Sequence, residues 1–485
     1  MPASAFGETM KDRKSFLTVL SNAGWLTGTR LIGDLASLFL FVILARHFGP
    51  TGIGQYAYGL AIAGFVYALV LFGLEEYGIR ECSRLSAEER RVFIGRLVGT
   101  QLGTMALVSL LLLGFLYIRV PSASTALIVI LLAGHQAMQA LARTLFVPAF
   151  SQQSMSGPAI AELVSRVIVI CAAIILVLGA HTSLAISLIP FPIGGFLIVI
   201  LAAASAKRHN GALNVTVNWR ESFMIFRSVW PFSASEIVDQ MYSRAGLILL
   251  TLILGEQSAG IFASSLKFLE VGIVPIFFLG IAVYPTLSRL FAHSDQSGLL
   301  QTADSYYRAS LFAGGLLALG LYFVVPLLVV PLFGEEFAAS ESIVKSIAVL
   351  GPLIAMNMAT MRLLVATHLQ VRMLKIQFWG LVILVVLSSA LVPIIGVLGV
   401  VVGLIGSEIT IVFLYLKTLQ GRMPIANLVK TVMLFAAVLL AAFFVGEAFT
   451  RFSHSLWLPV VASMAVFGAL IVGTGYLRIP NISRN

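Results

Sequence analysis

Long apolar stretches separated by short polar connections dominate the chain. A membrane-spanning helix needs about 20 mostly apolar residues to cross roughly 30 Å of hydrocarbon. Stretches of that kind occur fourteen times, and we predict spans at 18–44, 54–74, 93–118, 124–147, 156–179, 183–205, 228–254, 260–288, 306–333, 342–367, 373–395, 398–418, 428–449 and 456–477. The pattern therefore predicts an all-α integral membrane protein with about 14 transmembrane helices.

Basic residues favour one side of these predicted spans. If the N-terminus is cytoplasmic, the cytoplasmic segments and the span ends that adjoin them hold 19 of the 31 Lys and Arg. The opposite loops hold only Arg46, Arg119 and Arg451. Because Lys and Arg accumulate in cytoplasmic loops, we predict that both termini are cytoplasmic.

Composition excludes several classes of protein. The chain is 59% apolar and 11% charged, whereas soluble domains are nearer 45–50% and 25%. A soluble enzyme, a nucleic-acid-binding protein and a disordered scaffold are therefore excluded, despite the net charge of +10. Residues 1–15 are polar and the first span contains Arg30 and Asp34, so we expect a retained span and no cleaved signal peptide.

Motifs of catalysis are missing from the sequence. It has no G-x-x-x-x-G-K-[ST] phosphate loop, no H-E-x-x-H, no G-x-S-x-G and no acidic cluster typical of a glycosyltransferase metal site. We therefore expect a protein that is not an enzyme, has no ATPase of its own and needs no metal or cofactor.

A short motif occurs twice. Gly49-x4-Gly54-Gln55-Tyr56-Ala57 follows the first span, and Gly255-x4-Gly260-Ile261-Phe262-Ala263 follows the seventh, with every member offset by 206 residues. The six spans between the two copies give both halves the same orientation, which is typical of a parallel repeat. Two similar glycine turns could also arise by chance, but the matching span counts favour duplication.

The repeat suggests two pseudo-symmetric six-helix lobes around a central cavity, followed by two C-terminal helices. The predicted divisions are a cytoplasmic N-terminal segment (1–17), an N-lobe of spans 1–6 (18–205), a cytoplasmic linker (206–227), a C-lobe of spans 7–12 (228–420), and spans 13–14 with a cytoplasmic tail (421–485).

Ionisable side chains recur inside the predicted spans, where each must face protein or water because a charge at mid-bilayer is costly. The candidate cations of an anion-binding cavity are Arg30, Arg96, Arg143, Arg166, Arg244, Lys267 and Arg362. The acids that could couple transport to an ion are Asp34, Glu162, Glu236, Asp239 and Glu408. The cations suggest an anionic cargo, such as a phosphate, a diphosphate or an acidic sugar. Alternatively, Arg30–Asp34 and Glu162–Arg166, each four residues apart, are neutralised pairs that join helices.

Two segments resemble a known family. Residues 44–56 read LARHFGPTGIGQY, and residues 71–80 at the end of the second span read LFGLEEYGIR. With the basic N-terminus and the charged first span, they resemble the bacterial polysaccharide transporter family, the Wzx-type O-antigen and exopolysaccharide flippases. That family belongs to the multidrug/oligosaccharidyl-lipid/polysaccharide exporter superfamily.

The resemblance implies a flippase in the bacterial cytoplasmic (inner) membrane. Such a protein moves an undecaprenyl-diphosphate-linked oligosaccharide from the cytoplasmic to the periplasmic leaflet by alternating access, coupled to a proton or sodium gradient. It also implies a lipid-linked oligosaccharide substrate, surrounding membrane lipids and, as protein partners, a polysaccharide polymerase and a chain-length regulator. Three alternatives from the same superfamily remain open: a lipid II flippase, a teichoic or teichuronic acid precursor flippase, and a multidrug exporter. A polymerase or ligase would need a large periplasmic loop, which the sequence does not contain.

Overall fold

The computed structural model describes the backbone of residues 3–119, 122–180, 182–211, 214–420, 425–452, 457–474 and 476. Side chains are described in the same ranges, except those of residues 3–27, 30, 119, 180, 219, 231, 232 and 425–428. The α-helices are α1 (Ala3–Leu71), α2 (Leu74–Cys82), α3 (Ala87–Arg119), α4 (Ala123–Ser151), α5 (Ser156–Ala180), α6 (Leu184–Ser187), α7 (Pro190–Asn210), α8 (Trp219–Leu254), α9 (Glu256–Gly272), α10 (Val274–Ala292), α11 (Gln296–Leu319), α12 (Pro326–Phe333), α13 (Ser340–Ile347), α14 (Leu350–Ala366), α15 (Gln370–Ile395), α16 (Leu398–Leu419), α17 (Ile425–Phe452) and α18 (Leu458–Gly473). A π-helical turn occupies Gly320–Val324 and a 3-10 turn Glu335–Phe337. The prediction of an all-α membrane protein is confirmed.

Fewer spans are recognised than the sequence predicted. Length and composition identify 11 spanning helices within the described residues, or 12 when α13 and α14, which meet at a 43° bend, count as one. The predicted spans 18–44 and 54–74 both lie in α1, which joins α2 in one long stretch, Leu31–Cys82. The last predicted span contains α18, whose 16 described helical residues are too few to be counted as a span by length. These two places account for the difference from fourteen.

Glycine breaks α1 into two helices. Gly49 has φ 64° and ψ −171°, a conformation that only glycine adopts without steric cost. Pro50 follows, and proline suits the first turn of the helix that then begins. Gly255, the counterpart of Gly49 in the predicted repeat, precedes α9 with φ 85° and ψ −179°. Both copies of the motif therefore turn the chain in the same way.

The other glycine of each motif forms a close helix contact. A Cβ atom on Gly54 would overlap the carbonyl oxygen of Glu256, and one on Gly260 would overlap the carbonyl oxygen of Pro50. Pro50 and Glu256 are themselves 206 residues apart, so the two contacts are reciprocal. This reciprocity favours duplication over a chance similarity of two turns.

The chain divides into two compact units. The first unit comprises Met1–Phe48 and Gln55–Gln240, and the second comprises Gly49–Gly54 and Met241–Asn485. The division falls inside α8, so this helix contributes its N-terminal part to the first unit and its C-terminal part to the second.

Apolar side chains from several helices form a core in the first unit. Leu74 and Cys82 of α2 pack with side chains of α3, α4 and α7 and with Ile225 and Val229 of α8. In α8 these two residues are four positions apart and therefore lie on one face. Burial of that face holds the start of α8 in the first unit.

In the second unit, the last two helices pack against α11. The rings of Phe312 and Phe467 stack with centroids 5.6 Å apart, and Gly315 leaves the room that Phe467 occupies. Arg308 donates to Asp304 Oδ2 at 2.7 Å and to the carbonyl oxygen of Tyr476 at 3.0 Å. An aromatic contact and a charged contact thus fix α18 to α11, and Arg308 Nη2 also donates to Thr431 Oγ1 of α17 at 3.3 Å.

Candidate functional site

Arg143 of α4 lies between two carboxylates of the first unit. Its Nη1 atom is 3.6 Å from Glu75 Oε1 of α2 and 3.2 Å from Glu162 Oε1 of α5. The Arg143 side chain is 33% exposed and that of Glu75 is 15% exposed. The guanidinium therefore neutralises acids from two other helices. Sequence reasoning missed Glu75, although the adjacent pair Glu75–Glu76 at the end of an apolar stretch was a signal for it.

Arg166 of α5 makes a second cross-helix pair. Its Nη2 atom donates to Asp34 Oδ1 at 2.8 Å and to Ser37 Oγ at 2.9 Å. Gly33 provides space for the guanidinium, because a Cβ atom there would lie 2.6 Å from Arg166 Nη1. This pair joins α5 to α1.

These contacts change the pairing that sequence spacing suggested. Asp34 was considered as the partner of Arg30, and Glu162 as the partner of Arg166, each within one helix. In the structure Asp34 pairs with Arg166 and Glu162 pairs with Arg143, both between helices. The side chain of Arg30 lies outside the described residues, so an Arg30–Asp34 pair stays a prediction, whereas Glu162 is paired with Arg143 and not with Arg166.

Glu236 of α8 belongs to the same acidic surroundings. It is close enough to Glu75, Glu76, Asp239 and Arg143 to interact electrostatically with each of them. Acids therefore outnumber the guanidinium around Arg143.

Glu408 of α16 is a buried carboxylate in the second unit, where its residue is only 4% exposed. Tyr242 of α8 donates its hydroxyl to Glu408 Oε1 at 2.7 Å, and Asn357 Nδ2 of α14 donates to Oε2 at 2.8 Å. Ser407 Oγ donates to the Gly380 carbonyl oxygen at 2.7 Å and lies 3.3 Å from the Tyr242 hydroxyl. Each oxygen of Glu408 thus receives one hydrogen bond from an uncharged group, and no described cation pairs with it.

Sequence reasoning placed Glu408 inside a span but missed its partners. Asn357 was a detectable signal, because an amide in an apolar stretch needs a hydrogen-bonding partner. Tyr242 was not distinguishable from the tyrosines that anchor helices at the membrane surface.

The other candidate cations divide into paired and unpaired residues. Arg96 Nε lies 3.2 Å from Glu221 Oε2, and Lys267 Nζ lies 2.9 Å from Glu270 Oε2. Both had been expected to be isolated.

Arg244 and Arg362, both in the second unit, have no carboxylate within ion-pair distance among the described residues. Arg362 lies over the ring of Phe277 at 5.5 Å from the centroid. Arg244 Nε is buried and has no hydrogen-bond acceptor in the described part of the chain. Among the candidate cations whose side chains are described, these two guanidinium groups are therefore the ones that can still bind an anion.

No group of three or more His, Cys, Asp or Glu side chains that could hold a metal ion occurs within the described ranges. The charged positions of the two units are instead used in ion pairs, in hydrogen bonds to Glu408, or as unpaired guanidinium groups.

Comparison with known proteins identifies relatives. The profile of the family described as "Polysaccharide biosynthesis protein" matches residues 19–291. A protein of Shigella dysenteriae with the name "Putative O-antigen transporter" is 25% identical over 232 residues, which cover 47% of this chain. The match spans 57% of the length of that relative.

Solved structures of two transporter groups share the fold. The lipid II flippase MurJ in an inward closed conformation gives a TM-score of 0.73 at 15% identity, covering 94% of this chain and 99% of that one. An inward-facing multidrug resistance MATE family transporter of the MOP superfamily gives a TM-score of 0.61 at 15% identity, covering 82% and 96%. At these identities the likeness is one of fold alone.

Proposed function

The chain belongs to the polysaccharide biosynthesis protein family of MOP-superfamily transporters, and we propose that it is a flippase for an undecaprenyl-diphosphate-linked oligosaccharide. It would move this lipid from the inner to the outer leaflet of the cytoplasmic membrane by alternating access. The product would serve the biosynthesis of a surface polysaccharide such as O-antigen or exopolysaccharide.

The family match over residues 19–291 is the observation that carries this proposal. A sugar diphosphate is too polar to cross hydrocarbon unaided, whereas its polyprenyl tail can remain in lipid. A transporter for such a molecule needs cations that are free to bind phosphate and an aqueous path for the glycan.

We assign the diphosphate to Arg244 and Arg362. A guanidinium presents a planar fork of donors that matches phosphate oxygens. Arg143 and Arg166 already direct their donors at carboxylates, and an incoming anion would have to compete with these. Arg96 and Lys267 are paired in the same way.

We propose Glu408 as the principal ion-coupling residue. An ionised carboxylate that is buried without a cation is costly, and binding a proton removes that cost. Asp34 and Glu162 already have guanidinium partners, so their charge is compensated. Glu236 and Asp239 remain further candidates for coupling, and the gradient would be one of protons or sodium ions.

The topology that accompanies this function is also a proposal. It has both termini in the cytoplasm, fourteen crossings and a final pair of helices, α17 and α18, outside the twelve that form the duplicated part. A polysaccharide polymerase and a chain-length regulator would be the protein partners.

Transport into proteoliposomes tests the proposal. The probe is a fluorescent polyprenyl-diphosphate N-acetylglucosamine, and the measurement is the fraction that becomes inaccessible to an external quencher. We expect wild-type protein to move the probe, and the variants Arg244→Gln and Arg362→Gln to move it at least tenfold more slowly. Arg289→Gln is the matched control, because Arg289 is an exposed cation in the last turn of α10.

The corresponding test in cells is deletion of the gene. We expect a lipid-linked oligosaccharide to accumulate on the inner leaflet and its polysaccharide to disappear from the surface. Unchanged surface polysaccharide, with accumulation of lipid II instead, would contradict the proposed substrate.

A further inference from the structure

Residues 214–218, which directly precede α8, lie against α3. Residues 214–218 have no helical structure, and all belong to the first unit, as does α3. Gly95 and Gly99 of α3 are buried, and a Cβ atom on either would overlap a backbone carbonyl oxygen of this segment. The oxygen at Gly95 belongs to Asn214, and the oxygen at Gly99 belongs to Thr216.

The spacing of these contacts fits the two backbones to each other. Residues four apart in an α-helix are separated by about 6 Å along its axis. Residues two apart in an extended chain are separated by about 6.6 Å, and their carbonyl groups point to the same side. Two successive contacts can therefore form without bending either backbone. Carbonyl oxygens against glycine Cα atoms make weak hydrogen bonds of the kind seen at close helix contacts.

Side chains next to each glycine extend the contact into the first turn of α8. Arg96 Nε lies 3.2 Å from Glu221 Oε2. Thr100 Oγ1 lies 3.0 Å from Ser222 Oγ, and both residues are buried. The ion pair and the hydrogen bond thus follow the two glycines in register along α3.

We infer that residues 214–222 form a strap that keeps the start of α8 fixed on α3 throughout the transport cycle. The inference depends on the proposed function, because it concerns a protein that alternates between conformations. Since α8 belongs to the first unit as far as Gln240, the strap confines movement of α8 to the part beyond about its first six turns. The linker is then part of the first unit and not a loose tether.

Substitution of the glycines by alanine tests the strap with one methyl group. Alanine favours a helix more than glycine does. If the substitution displaces the strap, the cause is therefore the lost contact with the strap and not a weaker α3 helix. We expect Gly95→Ala and Gly99→Ala to displace the strap. Gly103→Ala is the matched control, because Gly103 lies on the same helix and a Cβ atom there has open space around it.

The readout is chemical access to position 222. Ser222 is 7% exposed, so a cysteine placed there by Ser222→Cys is protected while the strap is in place. The background carries Cys82→Ala and Cys171→Ser. We expect a membrane-impermeant maleimide to label this cysteine at least tenfold faster in the Gly95→Ala and Gly99→Ala variants and at an unchanged rate with Gly103→Ala. Equal labelling in all of them would overturn the inference.

A disulfide tests whether the strap stays in place during transport. The variants Thr100→Cys and Ser222→Cys, combined in the same background, place two thiols where two hydroxyls now touch. A protease site in the 152–155 connection reveals the bond, since the cleaved halves stay joined on a non-reducing gel. We expect the oxidised protein to transport the fluorescent probe within twofold of the reduced protein. Transport that stops on oxidation and returns on reduction would refute a permanent strap.

The two measurements separate this inference from the proposed function. If wild-type protein fails to move the probe, the proposed substrate is wrong, while the labelling of position 222 in the three glycine variants still decides whether the strap exists. If the alanine variants do not accumulate in the membrane, the disulfide variant, which leaves both glycines intact, decides the question.

Discussion

Replacement of Arg143 by methionine should destabilise the first unit by separating two carboxylates from their cation. Breaking a fully buried ion pair costs about 3–5 kcal/mol. The side chains of Arg143, Glu75 and Glu162 are 33%, 15% and 36% exposed, so partial hydration lowers the expected cost to roughly 2–3 kcal/mol. Methionine keeps most of the volume, which leaves the charge as the main difference.

Thermal unfolding of the purified protein measures this effect. One kcal/mol shifts the Tm by about 2–4 °C in a unit of this size, so we expect Arg143→Met to lower the Tm by roughly 4–12 °C. Arg362→Met is the control, because Arg362 compensates no carboxylate in the described structure. Its loss removes a cation–π contact of about 0.5–1 kcal/mol and should shift the Tm by less than about 4 °C.

A second substitution separates charge from packing. When Glu75→Gln is added to Arg143→Met, one uncompensated carboxylate disappears, and part of the lost stability should return. A Tm for Arg143→Met within about 2 °C of the wild type would refute the argument, given the conversion used. A double variant that is less stable than Arg143→Met alone would refute it too.

Three further predictions concern other sites. Glu408→Gln should abolish the response of transport to an imposed proton gradient, because glutamine accepts and donates hydrogen bonds but cannot ionise. Tyr242→Phe is the control and should retain that response. The assay is transport of the fluorescent probe at several imposed gradients. Arg308→Met should loosen the packing of α17 and α18 on α11 and lower the free energy of unfolding by about 1–3 kcal/mol, because a charged hydrogen bond is lost. The measurement is the Tm, which should fall in Arg308→Met. Adding Asp304→Asn to Arg308→Met should not lower it further. Asp295 accepts hydrogen bonds from Gly298 N and Ser297 Oγ, which lower the pKa of its carboxyl group in the folded protein. Its contribution to stability is therefore fully present above the pKa that Asp295 has in the unfolded chain. This contribution is lost as the pH falls through the lower pKa of the folded protein. Asp295→Ala should lower the Tm at pH 7 and have a diminishing effect in acid.

The sequence predicted the helical character of the chain well, because a backbone that crosses hydrocarbon must satisfy its own hydrogen bonds, and an apolar stretch of about 20 residues does so as a helix. It also located the turns at Gly49 and Gly255, whose backbone conformations in the structure agree. The number of spans was less predictable. Hydropathy cannot decide whether a stretch such as 456–477 forms a full crossing or, as in α18, 16 helical residues.

The candidate site was predicted only as a set of residues. Spacing within one helix suggested that Glu162 pairs with Arg166, four residues away, but the structure pairs Glu162 with Arg143 of another helix. Spacing also gave no sign that Asp34 pairs with Arg166 across helices. Which helices lie side by side is set by tertiary packing, which a single sequence does not encode in any local pattern. For the same reason Glu75 was missed as a partner of Arg143, and Arg244 and Arg362 could not be distinguished from the neutralised cations.

The pairing of Arg143 and Arg166 bears on how the chain is inserted during synthesis. A central arginine adds at least about 2.5–3.5 kcal/mol to the insertion of a helix. Glu75 and Asp34 precede these arginines in the sequence, so α1 and α2 already hold a carboxylate for each when the ribosome delivers α4 and α5. A nascent chain that began at α3 would lack both counter-charges, and its α4 and α5 would enter the bilayer less efficiently than they do in the full protein.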